Sequence, residues 1–530
     1  MIETPVFGHA AVAAPHQLSA EAGRRILLQG GNALEAMVAM AASIAVTYPH
    51  MNAIGGDGFW LVADRRRKVH FIEACGPAGA GATLRRYHEL GHDVMPLRGP
   101  LAALTVPGAI GGWQVALDMA HAFGGRMPLA DLLADAITQA RGGVPVSPSQ
   151  TRVPAEHIAV LREVPGFSAA FLPDGKVPAA GTALVQPALA ETLAQLAHAG
   201  LDDFYRGDIA RELAADLERL GSPVTRADLQ AYRARTREPL ALAIEGAQLY
   251  NSPPPTQGLS SLIILGLFER LGIRRADTFE HLHGLIEAIK FATTVRDQVI
   301  TDPDHLAHDP AAFLTNAFLN KAAGSLSRDR AGPMPKLDAA GDTVWMGAVD
   351  GDGLAVSYIQ SVFHDFGSGL VSPATGVLMQ NRGVSFSLDP RAKNPLQPGR
   401  KPFHTLNPAM ALFSDGRVMP FGTMGGDAQP QIHGQTFSRF RLGMGLAEAI
   451  DAPRFIVGRR RGEEETPIRL ECRFDDSLMA ALRRAGHPLI VTEEAYSDDF
   501  GHSGALLRHP RDGRIEACHD PRSDGGALGF

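Results

Sequence analysis

Thr343 opens an alternating stretch, Thr-Val-Trp-Met-Gly-Ala-Val, behind a Gly/Pro-rich run that ends at Asp342, and the turn Asp350-Gly351-Asp352-Gly353 closes it. A chain break between Asp342 and Thr343 would give Thr343 a free α-amine beside its own hydroxyl. Such an amine has a pKa of roughly 7.7–8.0, so near neutral pH it can take the hydroxyl proton as that oxygen attacks a carbonyl. One residue would then supply nucleophile and base. Threonines also head strands for β propensity alone, so the catalytic reading needs partners elsewhere in the chain.

One partner is the Gly425-Gly426 pair in MPFGTMGGDAQPQ. Adjacent glycines let two backbone N–H groups converge on one point, the geometry that stabilises a developing oxyanion, although a plain tight turn has the same sequence. Other chemistries lack their signatures. Neither Gly501-His502-Ser503-Gly504 nor Phe366-Gly367-Ser368-Gly369 makes a G-x-S-x-G elbow, and no phosphate-cradling glycine loop is present. His283 and Glu287 lie one helical turn apart with His281 nearby, but no third metal ligand stands at usable spacing, so a hydrogen-bonding role is expected and no metal or other cofactor is implied.

The elements that must position these residues follow from the periodicity. Residues 17–48 read as an amphipathic helix, a Gly30-Gly31-Asn32 break and a second, apolar helix buried on most faces. Gly55, Gly56 and Gly58 then interrupt the start of a strand, which signals close backbone packing or a positive φ, and strand pattern resumes at 59–62 and 69–72. From about 108 to 330 the pattern is mainly helical. After 343 it switches to strands, punctuated by one helical stretch from about Met479 to Ala485. Two segments, 1–342 and 343–530, are expected to complete one core, with the strands at 59–72 pairing beside those after 343.

Composition bounds the function. At 530 residues and 45% apolar the chain can bury large cores, and its formal charge of -7 is mixed along the sequence, which gives no electrostatic case for nucleic acid or an anionic membrane. The basic run Arg459-Arg460-Arg461 is answered by Glu463-Glu464-Glu465. Cys75, Cys472 and Cys518 are too scattered for a disulfide framework, no apolar run is long enough to span a bilayer, and no signal peptide is evident, so a cytoplasmic location is expected.

Several motifs carry a resemblance: APHQLSAEAGRRILLQGGNALEA, PHMNAIGGDGFWL, VPGAIGGW, PPPTQG, HGLIEAIKFA, AVSYIQSVFHDFGSGL, TGVLMQN and the terminal DPRSDGGALGF. In this order, along nearly the whole chain, they resemble the gamma-glutamyltranspeptidase family of N-terminal nucleophile hydrolases. The resemblance implies a four-layer αββα sandwich and a precursor that cuts itself between Asp342 and Thr343 into a heterodimer of large and small segments. It also implies roles: Thr343 as nucleophile, Ser361 as a hydroxyl that hydrogen-bonds it, Gly425 and Gly426 as the oxyanion hole, and Asn381 as a substrate-site asparagine.

The substrate pocket departs from the family pattern. Where members acting on γ-glutamyl compounds carry an arginine that grips the α-carboxylate, GPAGAGATLRRY places Leu84, with Arg85 next. Ser385 stands at the acidic position that binds the α-amine, and His404-Thr405 replaces a Ser-Ser pair. Arg382, a planar donor fork, could hold a carboxylate in a new place. The pattern resembles the amidohydrolase branch of the family, which includes enzymes acting on oxamate and, more loosely, glutaryl acylases acting on cephalosporin side chains. A small carboxylate-bearing amide, oxamate-like, is the expected substrate. A γ-glutamyl hydrolase or transferase with a rearranged pocket is the alternative, and a non-catalytic binding relative, obstructed by Val344-Trp345, is the outsider. PRAKNPLQPGRK is a candidate lid.

Overall fold

A computed structural model describes residues 3–337, 341–459 and 463–530. Two seven-stranded sheets form its centre. The first runs Val6–Phe7, Ile515–His519, Ser503–Arg508, Val418–Thr423, Ala409–Phe413, Ala247–Asn251, Leu240–Ile244, and the second Gly526–Gly529, Ala11–Ala14, Asp342–Val349, Ala355–Phe363, Asp57–Ala63, Val69–Ala74, Arg235–Arg237. Every neighbouring pair in both sheets is antiparallel. Each sheet draws strands from both sides of residue 343.

Alternation along the strands sorts the side chains into three cores. Trp345, Ile359, Phe59, Met410 and Leu506 fill the space between the sheets. Val344, Met346 and Val356 face the other way, onto the Gln17–Leu28 and Ala33–Thr47 helices and the helical lobe beyond them. The outer face of the first sheet packs on Gly258–Leu271, Phe279–Val299 and Gln429–Arg441. The result is the αββα sandwich.

Local sequence accounts for the pieces that hold the site. Asn32 caps the second helix through Leu34 N and Glu35 N, both at 3.1 Å, and the Glu35 carboxylate returns to Asn32 N at 2.7 Å, a capping box that ends the Gly30-Gly31 break. Of the three glycines at the start of the Asp57–Ala63 strand, Gly56 is the one against Ser361: a Cβ there would lie 2.2 Å from the carbonyl oxygen of Ser361. Close backbone approach explains this glycine, and none of the three has a positive φ. Trp345, bulky and two residues after Thr343, is accommodated because Gly422 and Gly504 leave room for its ring and its Nε1 donates to Ser357 Oγ at 2.9 Å.

The segment from 108 to 330 is mainly helical, as expected, and also supplies Arg235–Arg237, Leu240–Ile244 and Ala247–Asn251 at the ends of the two sheets. One expectation is corrected. After 343, Gln429–Arg441 is a thirteen-residue helix that the periodicity hides, because it is buried all round from Gln429 to Arg439 and Ile432 and Phe437 stand among buried Gln429, Gln431, His433, Gln435, Ser438 and Arg439. The stretch near Met479 is the helix Asp476–Arg484. Arg460 and Arg461 of the basic run lie outside the described residues, and Glu463 pairs with Arg469. Among the described residues no helix is long and apolar enough to cross a membrane, and all three cysteines are unpaired.

Candidate active site

Thr343 sits near the start of its strand, 1% exposed, at a register shift between Asp342 and Val344. Its hydroxyl lies 2.6 Å from the carbonyl oxygen of Asp342 and 3.2 Å from Ser361 Oγ. Ser361, on the neighbouring strand, donates to the same Asp342 carbonyl at 2.6 Å, and Phe363 N donates back to Ser361 Oγ at 2.8 Å. The three groups form a relay. The Thr343 proton can pass to Ser361 Oγ while the Ser361 proton moves toward the carbonyl oxygen that must accept negative charge.

The Gly425-Gly426 turn closes over this bond. Gly425 has φ +128° and Gly426 φ +53°, conformations that favour glycine. Among the described residues neither N–H has an acceptor. The leader packs against the turn: a Cβ on Gly341 would lie 2.9 Å from Gly426 Cα and 3.4 Å from the Phe363 ring. Sequence reasoning missed what holds the turn. Gln257, buried, donates from Nε2 to Thr405 O and Gly426 O, both at 2.8 Å, and accepts from Arg296 Nη1 at 3.2 Å. Arg296 also pairs with Asp427. Gln257 ends the PPPTQ run, and the only signal for it was that motif.

Arg382 is 1% exposed, stacks on the Phe363 ring at 3.8 Å and donates from Nη1 to Thr405 Oγ1 at 3.2 Å. Among the described residues it has no carboxylate in ion-pair contact and its Nη2 has no hydrogen-bond partner. Burial draws it down to about 9, against the raising effect of Asp57 and Asp427. Thr405 and His404 are buried in the same wall, and Asn381 is fixed by Leu97 O at 3.0 Å and His364 N at 3.2 Å. Ser385 ends the short helix that begins with Arg382. Arg85 is not brought into this group. Its side chain is 86% exposed and faces Glu89.

Two carboxyls meet beside the Asp342–Thr343 bond. Asp342 hydrogen-bonds Asp365, and burial together with the Asp365 charge holds Asp342 well above the usual carboxylate range. Burial opposes ionisation of Asp365 too, but hydrogen bonds from Asp342 and His157 and the Arg98 charge outweigh it and keep Asp365 ionised. One proton is thus shared by the pair and rests on Asp342.

His283, Glu287 and His487 lie within 4.8 Å of one another, so the third residue missing from the sequence pattern comes from the small segment. Their contacts are nevertheless made without an ion: His283 Nδ1 meets His487 Nε2 at 2.8 Å and Glu287 pairs with Lys290 at 2.5 Å. His281 turns away to Ser438 Oγ at 2.8 Å. The 390–401 segment is tied down, with Lys393 on Asp297 O at 2.6 Å, Arg400 on Asn394 Oδ1 at 3.0 Å and Lys401 on Glu73.

Comparison with known proteins agrees with this geometry. The gamma-glutamyltranspeptidase family profile matches residues 19–530. The oxamate amidohydrolase proenzyme of Klebsiella pneumoniae is 48% identical over 532 residues, covering all of both chains. The glutathione hydrolase-like YwrD proenzyme of Bacillus subtilis is 36% identical over 98% of each chain. Among solved structures, a cephalosporin acylase from Bacillus halodurans superposes with a TM-score of 0.91 at 31% identity, covering all of this chain and 97% of that one. Fold and sequence therefore agree: the chain belongs to the gamma-glutamyltranspeptidase family of N-terminal nucleophile hydrolases.

Proposed function

We propose that the protein is a self-processing threonine amidohydrolase that cleaves the amide of a small acyl group bearing a free carboxylate, converting oxamate to oxalate and ammonia. One observation carries this reading: Arg382 is a buried guanidinium whose Nη2 has no hydrogen-bond partner and which has no carboxylate within ion-pair distance among the described residues, set one aromatic ring away from the leader. A buried charge in this condition is costly unless a ligand supplies the counter-charge. The absence of an acidic side chain at Ser385 removes the partner an α-ammonium would need. The similarity to an oxamate amidohydrolase proenzyme supports the same substrate.

In the maturation step, Thr343 Oγ1 attacks the Asp342 carbonyl, the peptide nitrogen leaves with a proton as the new α-amine, and water hydrolyses the ester. In turnover, the amine takes the hydroxyl proton as Oγ1 attacks the substrate carbonyl. Gly425 and Gly426 N–H groups hold the oxyanion, ammonia leaves with the proton, and water releases the acid. The two segments remain together because both sheets are shared between them. The unpaired cysteines suit a reducing compartment, and on that ground we assign the protein to the cytoplasm.

A second reading rests on the Phe363 ring between Arg382 and the leader: an acyl chain of glutaryl length would reach past it. The test measures ammonia from oxamate beside p-nitroaniline from glutaryl and γ-glutamyl anilides. Turnover of oxamate is expected to dominate, and activity confined to the anilides overturns the oxamate reading.

A further inference from the structure

Four buried polar side chains near the nucleophile each keep at least one atom without a hydrogen-bond partner, and they come from three separate stretches of the sequence. Asp57 Oδ2, both amide atoms of Gln380, Arg382 Nη2 and both ring nitrogens of His404 have no hydrogen-bond partner among the described residues. Asp57 stands directly across the strand pair from Ser361, so the two side chains lie on the same face of the sheet. Its Oδ1 is taken by Gly108 N at 3.0 Å and Gly76 N at 3.4 Å, which fixes the carboxyl and leaves Oδ2 turned toward His404 Nε2, 3.5 Å away. Gln380 and Arg382 also face this carboxyl. Buried polar groups are almost always satisfied, so this cluster matches the demand of a polar ligand.

We infer that Asp57 is a specificity-determining residue: its Oδ2, the Gln380 amide, Arg382 Nη2 and a His404 ring nitrogen form a chamber for one carboxylate group. The inference rests on the proposed reading that the acyl group carries a free carboxylate. Arg382, the Gln380 amide and neutral His404 can each donate to a carboxylate. Asp57 fits the same chamber only when it holds its proton, since two carboxylates side by side repel each other and one carboxylic acid beside one carboxylate share a hydrogen bond.

The surroundings allow that state at ordinary pH. Burial raises Asp57 to about 7, against Gln380, Arg382 and the two backbone N–H groups. The other titratable groups that face it keep one charge across this range. Burial, with Arg382 and Lys401, keeps His404 neutral. Burial likewise raises Cys75, Tyr205, Tyr232 and Tyr358 and holds them uncharged. Behind Cys75, Lys401 is paired with Glu73. Binding of a carboxylate therefore takes up one proton once the pH exceeds about 7.

The test is calorimetric titration of the processed protein with oxalate and with glutarate from pH 5.5 to 8.5, in two buffers of different ionisation enthalpy. Expected are a Kd that is flat below about pH 7 and rises roughly tenfold per unit above it, with proton uptake approaching one per anion. In Asp57→Asn the slope and the proton uptake fall together, and what remains of either is that of the Thr343 amine. Binding without proton uptake in the wild type overturns the inference, a result that needs no variant to fold. An unchanged slope and uptake in Asp57→Asn overturns it equally. Failure of both anions to bind at any pH overturns the carboxylate reading itself and this inference with it.

Discussion

The Ser361 hydroxyl donates to the Asp342 carbonyl at 2.6 Å, so the Asp342–Thr343 peptide bond is polarised by a residue from the next strand. Thr343 Oγ1 lies 3.2 Å from the same hydroxyl. Ser361→Ala removes both the donor and the proton carrier. Loss of one donor to a developing oxyanion slows such reactions by about 10² to 10³. Self-cleavage of Ser361→Ala, followed by gel densitometry over days, is expected to slow by that order. Cleavage at the wild-type rate would remove Ser361 from the chemistry.

Gly341 tests whether the leader must sit against the oxyanion turn. Its φ is +142° and a Cβ would come within 2.9 Å of Gly426 Cα. Gly341→Ala therefore forces the leader off the turn, at a backbone strain of about 1–3 kcal/mol. Processing is expected to slow at least tenfold. Any material that does cleave should turn over substrate normally, because Gly341 lies outside the small segment; an equal loss in both steps would contradict this account.

Arg382→Lys keeps the charge and loses the planar fork that bonds Thr405 and stacks on Phe363. Hydrogen bonds to a charged group are worth about 1.5–3 kcal/mol, so KM for the carboxylate substrate should rise about tenfold to a hundredfold, while kcat falls less. Initial rates over a range of substrate concentration decide it, and an unchanged KM would move the carboxylate site elsewhere.

The Asp342–Asp365 pair gives the precursor a pH dependence. Asp342 is raised above its unfolded value, so its contribution to stability is full at low pH and is lost as pH rises through its folded pKa. Thermal unfolding of the uncleaved Thr343→Ala precursor should show a lower Tm at pH 8.5 than at pH 5.5. Adding Asp342→Asn should shrink that difference. An undiminished difference would assign the pH effect to other groups.

That Thr343, Ser361 and the Gly425-Gly426 turn come together was legible in the chain from residue types at fixed places: a threonine at a strand head, a serine on the next strand, and a glycine pair after a third. The sheet pairing of 59–72 with the strands after 343 also followed from pattern. What escaped were contacts made by tertiary packing. Gln257 supports Gly426 from a helix N-terminus far away in sequence, and Asp57 reads as one residue of a glycine-rich turn until it is seen opposite Ser361. The Gln429–Arg441 helix was hidden because most of the residues it buries are amides, hydroxyls, His433 and Arg439, with too few apolar ones to mark a stripe. Arg85 lay next to the expected pocket position in sequence, yet its side chain points to solvent.

The central claim is that Thr343 cuts its own chain and then serves as the nucleophile. Intact mass with N-terminal sequencing of purified wild type and Thr343→Ala tests it most directly. The account requires two wild-type fragments, one ending at Asp342 and one beginning Thr-Val-Trp, and a single uncut chain in the variant. A wild-type chain that stays whole for days, or a variant that cleaves at the same bond, would contradict it.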